Sequence, residues 1–148
     1  SHDDMEIILR AAMAAPSANN RQPWHFIVVD DREKMKKITE IHPYSSMLNT
    51  ASACIVVLGE TPDEGGSAYW VQDCAAATEN MLLAIANLGL GGVWLGVHPR
   101  QEREQGLREI FNIGDDLTPL CVVAVGVPDE HKGKIDRFNA ERVYKNSM

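Results

Sequence analysis

Helix-period and strand-period segments alternate along the 148 residues, the strand segments include continuous apolar runs, and the length suits one core. Together these observations predict an α/β layer structure. A chain of this size buries roughly 70% of the surface its unfolded form exposes, so residues 1–148 are expected to form one domain without covalent staples.

The elements follow from local patterns. Met5, Ile8, Leu9 and Ala12 keep an i, i+3, i+4, i+7 spacing, with Asp3 and Glu6 as a capping box, and predict a helix that Pro16 stops. Ser17 to Trp24 is polar and bounded by prolines, so it reads as a loop, and His25 to Val29 as a short strand. Asp30 or Asp31 caps a second helix with Met35, Ile38 and Ile41 on one face, ended by His42-Pro43. Ala53 to Gly59 is an apolar run of the kind buried on both faces. After the polar stretch Thr61 to Gly66, Ser67 to Leu88 is the longest helical pattern, with Gly89 as its C-cap. Gly92 to Val97 gives a third strand, Pro99 suits the first turn of a helix carrying Leu107, Ile110 and Phe111, and Leu120 to Val127 is a fourth strand. From Pro128 the composition turns basic, and Phe138, Val143 and Tyr144 give residues 128–148 something to dock with, a subunit partner being one candidate.

Composition narrows the function classes. With 21 acidic against 14 basic residues and a net charge of −7, neither nucleic acid nor an anionic membrane is expected as the main partner. No run reaches the ~18 apolar residues of a membrane span, and Ser1-His2-Asp3-Asp4 is acidic where a signal peptide is basic, so the expected compartment is the cytoplasm. Cys54, Cys74 and Cys121 form no C-x-x-C pair, and the odd, scattered set suits reducing surroundings. The histidines form no H-x₃-H or H-E-x-x-H pair, and no G-x-S-x-G, Walker or G-x-G-x-x-G motif is present. Metal, serine-hydrolase and phosphate-loop chemistry are therefore not expected.

Two segments stand out. Ala15 to Trp24 packs hydroxyl, amide and guanidinium groups between a helix end and a strand start, which suits a polar ligand as well as a turn satisfying its own backbone. Gly89 to Val97 is dense in glycine, as for close approach of a ligand or for tight helix–strand packing, and Trp94 within it is expected in the core.

Further matches run in one order. Ala15-Pro16-Ser17-Ala18-Asn19-Asn20-Arg21-Gln22-Pro23-Trp24-His25-Phe26 is followed by Met47-Leu48 ahead of the strand at Ile55, then Gln72-Asp73-Cys74-Ala75-Ala76-Ala77 with Asn80. Leu88-Gly89-Leu90-Gly91 with Trp94-Leu95-Gly96 comes next, and Lys134 with Arg137-Phe138 last. In this order the chain resembles the nitroreductase family of FMN-dependent oxidoreductases, with P-S-x-x-N-x-Q-P-W as the most specific string.

The resemblance implies an α+β fold, a mixed sheet flanked by helices in a three-layer sandwich, and an intertwined homodimer with two FMN sites at the interface. It assigns Pro16, Ser17, Ala18, Asn20 and Gln22 to the flavin, the loop arriving from the neighbouring subunit. Val93, Trp94, Leu95 and Gly96 lie along the isoalloxazine ring, a backbone N–H of Leu95 or Gly96 facing N5. Lys134 and Arg137 bind the FMN phosphate. Residues 128–148 become an extension docked on the partner, and the alanine-rich helix Ser67 to Leu88 the dimer core.

The implied activity is hydride transfer from NADH or NADPH through FMN to a nitroaromatic, a quinone or a similar acceptor by a ping-pong cycle, with no protein nucleophile. Two departures stand against that pattern. The R-R-S-x-R segment usual in the family has no counterpart in these residues, and Ser46 stands where relatives commonly place lysine. Both point to weaker FMN binding and a lower flavin potential, and to an alternative in which the domain binds flavin or a partner without efficient turnover.

Overall fold

The computed structural model describes residues 1–62, 67–130, 133 and 135–148. Eight main elements follow in order: α1 (His2–Met13), β1 (Trp24–Val29), α2 (Arg32–Ile41), β2 (Ala53–Glu60), α3 (Trp70–Asn87), β3 (Gly91–Gly96), α4 (Gln101–Phe111) and β4 (Leu117–Gly126). Short 3₁₀ turns occupy Ala18–Asn20, Ser46–Asn49 and Ala140–Arg142.

Side-chain caps set the starts of α1 and α2. The capping box of α1 is Ser1 with Asp4, two residues ahead of the expected Asp3–Glu6 pair. Asp31 caps α2 by accepting from Glu33 N and Lys34 N. The expected start at Ser67 moves to Trp70, because Ser67 forms a turn that takes Tyr69 N on its hydroxyl and Trp70 N on its carbonyl. At the other end of α3, Leu90 N bonds Ile85 O and Gly89 N bonds Ala86 O around Gly89 at φ 72°, so the glycine follows the cap residue Leu88 in a Schellman motif. Pro99 stands before α4 rather than in its first turn, since Arg100 is the N-cap.

The four strands form one sheet in the order β1-β2-β4-β3, every pairing antiparallel. The α+β class holds, but the mixed sheet that the resemblance implied is not present among the described residues, where all pairs run antiparallel. The alternation that predicted α/β layers has a specific origin. β2 and β3 run parallel with α3 between them, but β4 inserts between the two strands, giving a split β-α-β unit rather than a parallel sheet. Pro119 lies inside β4, where the β2–β4 register shifts at Val57/Leu58. A bulge is where a strand tolerates proline, which is why β4 extends ahead of the expected Leu120.

The continuous apolar runs of β2 and β4 are buried on both faces. Ile55 and Val57 pack with Cys121, Val123 and Val125 against α1 and α3. Cys54, Val56 and Leu58 pack with Val122 and Ala124 against α2 and α4. Alternate residues thus serve two cores, and the result is a three-layer sandwich. Among the described residues no helix is long and apolar enough to cross a membrane.

Candidate functional site

The loop between α1 and β1 is bound by its own side chains and by α3. Ser17 Oγ accepts Gln22 N at 2.9 Å and Ser17 O accepts Asn20 N at 3.0 Å. Gln22 Nε2 donates to Asn20 Oδ1 at 2.9 Å, and Asp73 Oδ1, in the first turn of α3, accepts Ala18 N at 3.0 Å. Three loop residues other than glycine adopt positive φ: Asn19 and Asn20 at 54° and Gln22 at 51°. Asparagine visits this region more readily than other non-glycine residues, so the cost of about 1–2 kcal/mol for a left-handed residue falls mainly on Gln22. Asn20 and Gln22 are exposed, whereas Ser17 and Ala18 are half-buried. Asp73 is buried, and its Oδ2 has no hydrogen-bond partner among the described residues.

The second segment is β3. Just past the strand, Val97 N donates to Leu120 O at 3.1 Å, the bond that flanks the last ladder pair. One residue back, Gly96 faces Cys121 across a non-bonded pair, and its N–H and C=O turn to the open edge. The carbonyl takes His42 Nε2 and Arg103 Nη1, each at 2.8 Å, instead of a strand neighbour. By the same alternation Leu95 points its backbone groups into the sheet. Of the two N–H groups proposed to face N5, that of Gly96 is the one at the free edge.

The glycine-dense segment resolves into separate causes. A Cβ at Gly92 would lie 3.0 Å from Leu82 and 3.2 Å from Ile85, so this glycine serves helix packing. A Cβ at Gly96 would meet nothing within 4 Å, and no positive φ demands glycine there. The space beside Gly96 is open to something from outside the chain. Trp94, expected in the core, is 38% exposed, because α3 covers this edge strand at Gly92 and Trp94 lies two residues beyond.

The loop enters β1 at the same end of the sheet as Gly96 on β3, and these two edge strands are three strand spacings or about 14 Å apart. Two cavities, of ≈840 and ≈470 Å³, include neither Asn20 nor Gly96. The larger lies at the far end of the sheet, lined by Met5, Val28 and Val125, while the smaller reaches Val93. Arg137 is exposed in the C-terminal segment, and Lys134 lies outside the described residues, as does most of the stretch Thr61 to Gly66. Ser46 is exposed on its 3₁₀ turn.

All three thiols are buried, which pushes each pKa up to about 12 and leaves none as a thiolate nucleophile. Three residues given no role from sequence shape the site: Asp73, His42 and Arg103. His42 carries no local signal beyond the helix end at His42-Pro43, since its burial depends on β3 lying alongside.

One chain thus carries two separate features, an open glycine at a sheet edge and an amide-rich loop with exposed polar groups. The comparisons with known proteins point to a family. A family model described as Nitroreductase family matches residues 1–43 and 41–127. An Archaeoglobus fulgidus protein named "Putative NADH dehydrogenase/NAD(P)H nitroreductase" is 51% identical over 150 residues, 98% of this chain and 86% of that one. The crystal structure of a "Putative NADH Oxidase" from Clostridium acetobutylicum matches with TM-score 0.94 and 45% identity, over 100% of this chain and 90% of the other. A "putative nitroreductase in complex with fmn" from Desulfovibrio desulfuricans matches with TM-score 0.81 and 26% identity, over 100% and 86%.

Proposed function

Because the chain belongs to the nitroreductase family, we propose that it is an FMN-dependent oxidoreductase. It takes hydride from NADH or NADPH and passes two electrons to a nitroaromatic, a quinone or a similar acceptor by a ping-pong cycle. The observation that carries this reading is Gly96, a glycine at a free strand edge with open space beside it and an outward N–H. FMN supplies the redox chemistry, accepting and returning hydride at N5. The chain's part is to bind and orient. Gly96 presents its N–H toward N5, Val93, Trp94 and Leu95 form the strand beside the ring, and Arg137 with Lys134 neutralises the phosphate.

The unit is a homodimer in which Pro16, Ser17, Ala18, Asn20 and Gln22 reach the flavin held by the other subunit. The ~14 Å between the β1 and β3 edges of one sheet supports this, because a single ring does not span both edges. Val71 and Leu83 on α3 are exposed apolar groups suited to the interface. Residues 128–148 extend from the single domain and dock on the partner, which accounts for exposed Phe138, Val143 and Tyr144. The reading includes a cytoplasmic setting, supported by three unpaired buried thiols.

Purified protein mixed with FMN is expected to quench flavin fluorescence and to be bleached by NADH or NADPH without oxygen, then reoxidised by a quinone. No quenching overturns the reading. A second reading, flavin binding without efficient turnover, draws on exposed Ser46 where the resemblance expects lysine. FMN that binds but is not reduced by either nicotinamide selects it.

A further inference from the structure

The carbonyl of Gly96 receives two donors that no strand pairing requires. His42 is buried, and its Nδ1 accepts Tyr44 N at 3.3 Å, so Nε2 carries the proton and donates to Gly96 O. Arg103 Nη1 donates to the same oxygen and lies 3.3 Å from His42 Nε2, while its guanidinium stacks 6.0 Å from the Tyr44 ring centroid. Ser45, fully buried, fixes the His42 backbone through Oγ to His42 O at 2.7 Å.

The arrangement answers a problem that glycine creates. Glycine at position 96 leaves space for a cofactor, yet it is the residue with the least torsional restraint, and here no Cβ contact holds it. The planar peptide between Gly96 and Val97 is instead held at both ends: its oxygen by His42 and Arg103, its N–H by Leu120 O. The Gly96 N–H lies in the preceding peptide plane, whose carbonyl, that of Leu95, is turned into the sheet toward Val122, so with both flanking planes held the Gly96 torsions between them, and the N–H, keep one direction. The two donors come from different elements, His42 from the end of α2 and Arg103 from the first turn of α4, so the direction is referred to the body of the fold.

We propose that His42 and Arg103 are positioning residues that aim the Gly96 N–H at the flavin by clamping the Gly96 carbonyl. The proposal rests on the FMN reading above, and the test separates the two. In apo protein labelled with ¹⁵N-glycine, the Gly96 amide is expected to have the order parameter of rigid backbone, about 0.85, falling toward ~0.6 in Arg103→Met while Gly92 stays unchanged. FMN titrated into apo Arg103→Met binds about tenfold more weakly than into wild type, and Arg103→Lys, which keeps a donor, recovers most of the loss. His42→Leu follows Arg103→Met and His42→Gln recovers. If the buried His42 variants do not fold, the exposed-side Arg103 pair decides alone.

An unchanged Gly96 order parameter in Arg103→Met overturns the clamp. A lowered order parameter with unchanged FMN affinity overturns its role toward the flavin. Wild-type protein that binds no FMN overturns the functional reading instead, and leaves the clamp to be judged by the amide alone.

Discussion

The two halves of the candidate site are built by opposite means. The loop from Pro16 to Gln22 has almost no regular structure, and its form comes from side chains reaching backbone: Ser17 to Gln22 N, Asp73 to Ala18 N. The β3 segment is regular strand whose geometry comes from pairing with β4, and its site residue matters for lacking a side chain. In the loop, form depends on side chains that are present, and the positive φ at Asn19, Asn20 and Gln22 is sustained by those bonds. On the strand it depends on one that is absent. The first turn of α3 touches both halves, since Asp73 holds the loop while Trp70 packs its ring edge on His98, 4.9 Å between centroids, just beyond β3.

The sharpest way to break the contrast is to fill the strand side. Gly96→Val is expected to leave unfolding free energy within ~0.5 kcal/mol, because a Cβ there has nothing within 4 Å beyond its chain neighbours among the described residues, yet to weaken FMN binding by about 100-fold or ~3 kcal/mol. Denaturation curves and flavin titration report the two separately. Gly59→Ala is the mirror case. Its Cβ would lie 2.5 Å from Trp70 and 2.9 Å from Cys74 Sγ, so stability falls by about 1–3 kcal/mol.

On the loop side, Asn20→Ala is expected to weaken FMN retention by about 1–3 kcal/mol, and Arg137→Ala in the tail by a similar amount. Retention equal to wild type in both removes these two assignments and leaves the fold intact. Asp73→Ala should cost about 1–2 kcal/mol of stability and loosen the loop, whereas Asp73→Asn keeps an acceptor for Ala18 N and should lose less. Limited proteolysis within Ser17 to Gln22 is the measurement that separates them.

The smallest effect concerns the frame shared by both halves. Burial raises the folded pKa of Cys54, Cys74 and Cys121 to about 12, above the ordinary 9.0 of an exposed thiol. Unfolded chains therefore lose thiol protons first, so stability is intact below pH 9 and declines as pH rises from 9 toward 12. Native protein at pH 8 should react with a thiol reagent only as fast as it opens, and stoichiometric labelling of folded protein contradicts this.

Much was legible from local pattern. The eight main elements follow from periodicity, capping residues and glycine or proline stops, with boundaries displaced by a few residues where a second cap competed. Ser1 displaced Asp3, and the Ser67 turn displaced the start of α3. The string Pro16 to Trp24 marked the loop by composition and, by resemblance, the family. Strand order was not legible, because both faces of β2 and β4 are apolar and any partner satisfies them equally.

What the sequence determined by itself is therefore local and chemical: which residues turn, which cap, which segments are apolar enough to be covered twice, and which family the motifs resemble. Tertiary structure decided which glycine is packed and which is open, since Gly92 and Gly96 differ only in whether α3 lies over them. It also decided that His42 and Arg103 meet one carbonyl, residues separated by 61 positions and joined because β3 is the sheet edge. Spacing along a chain governs torsions and periodicity within a few residues, but only a completed sheet determines which backbone groups remain at its edge and which side chains can reach them.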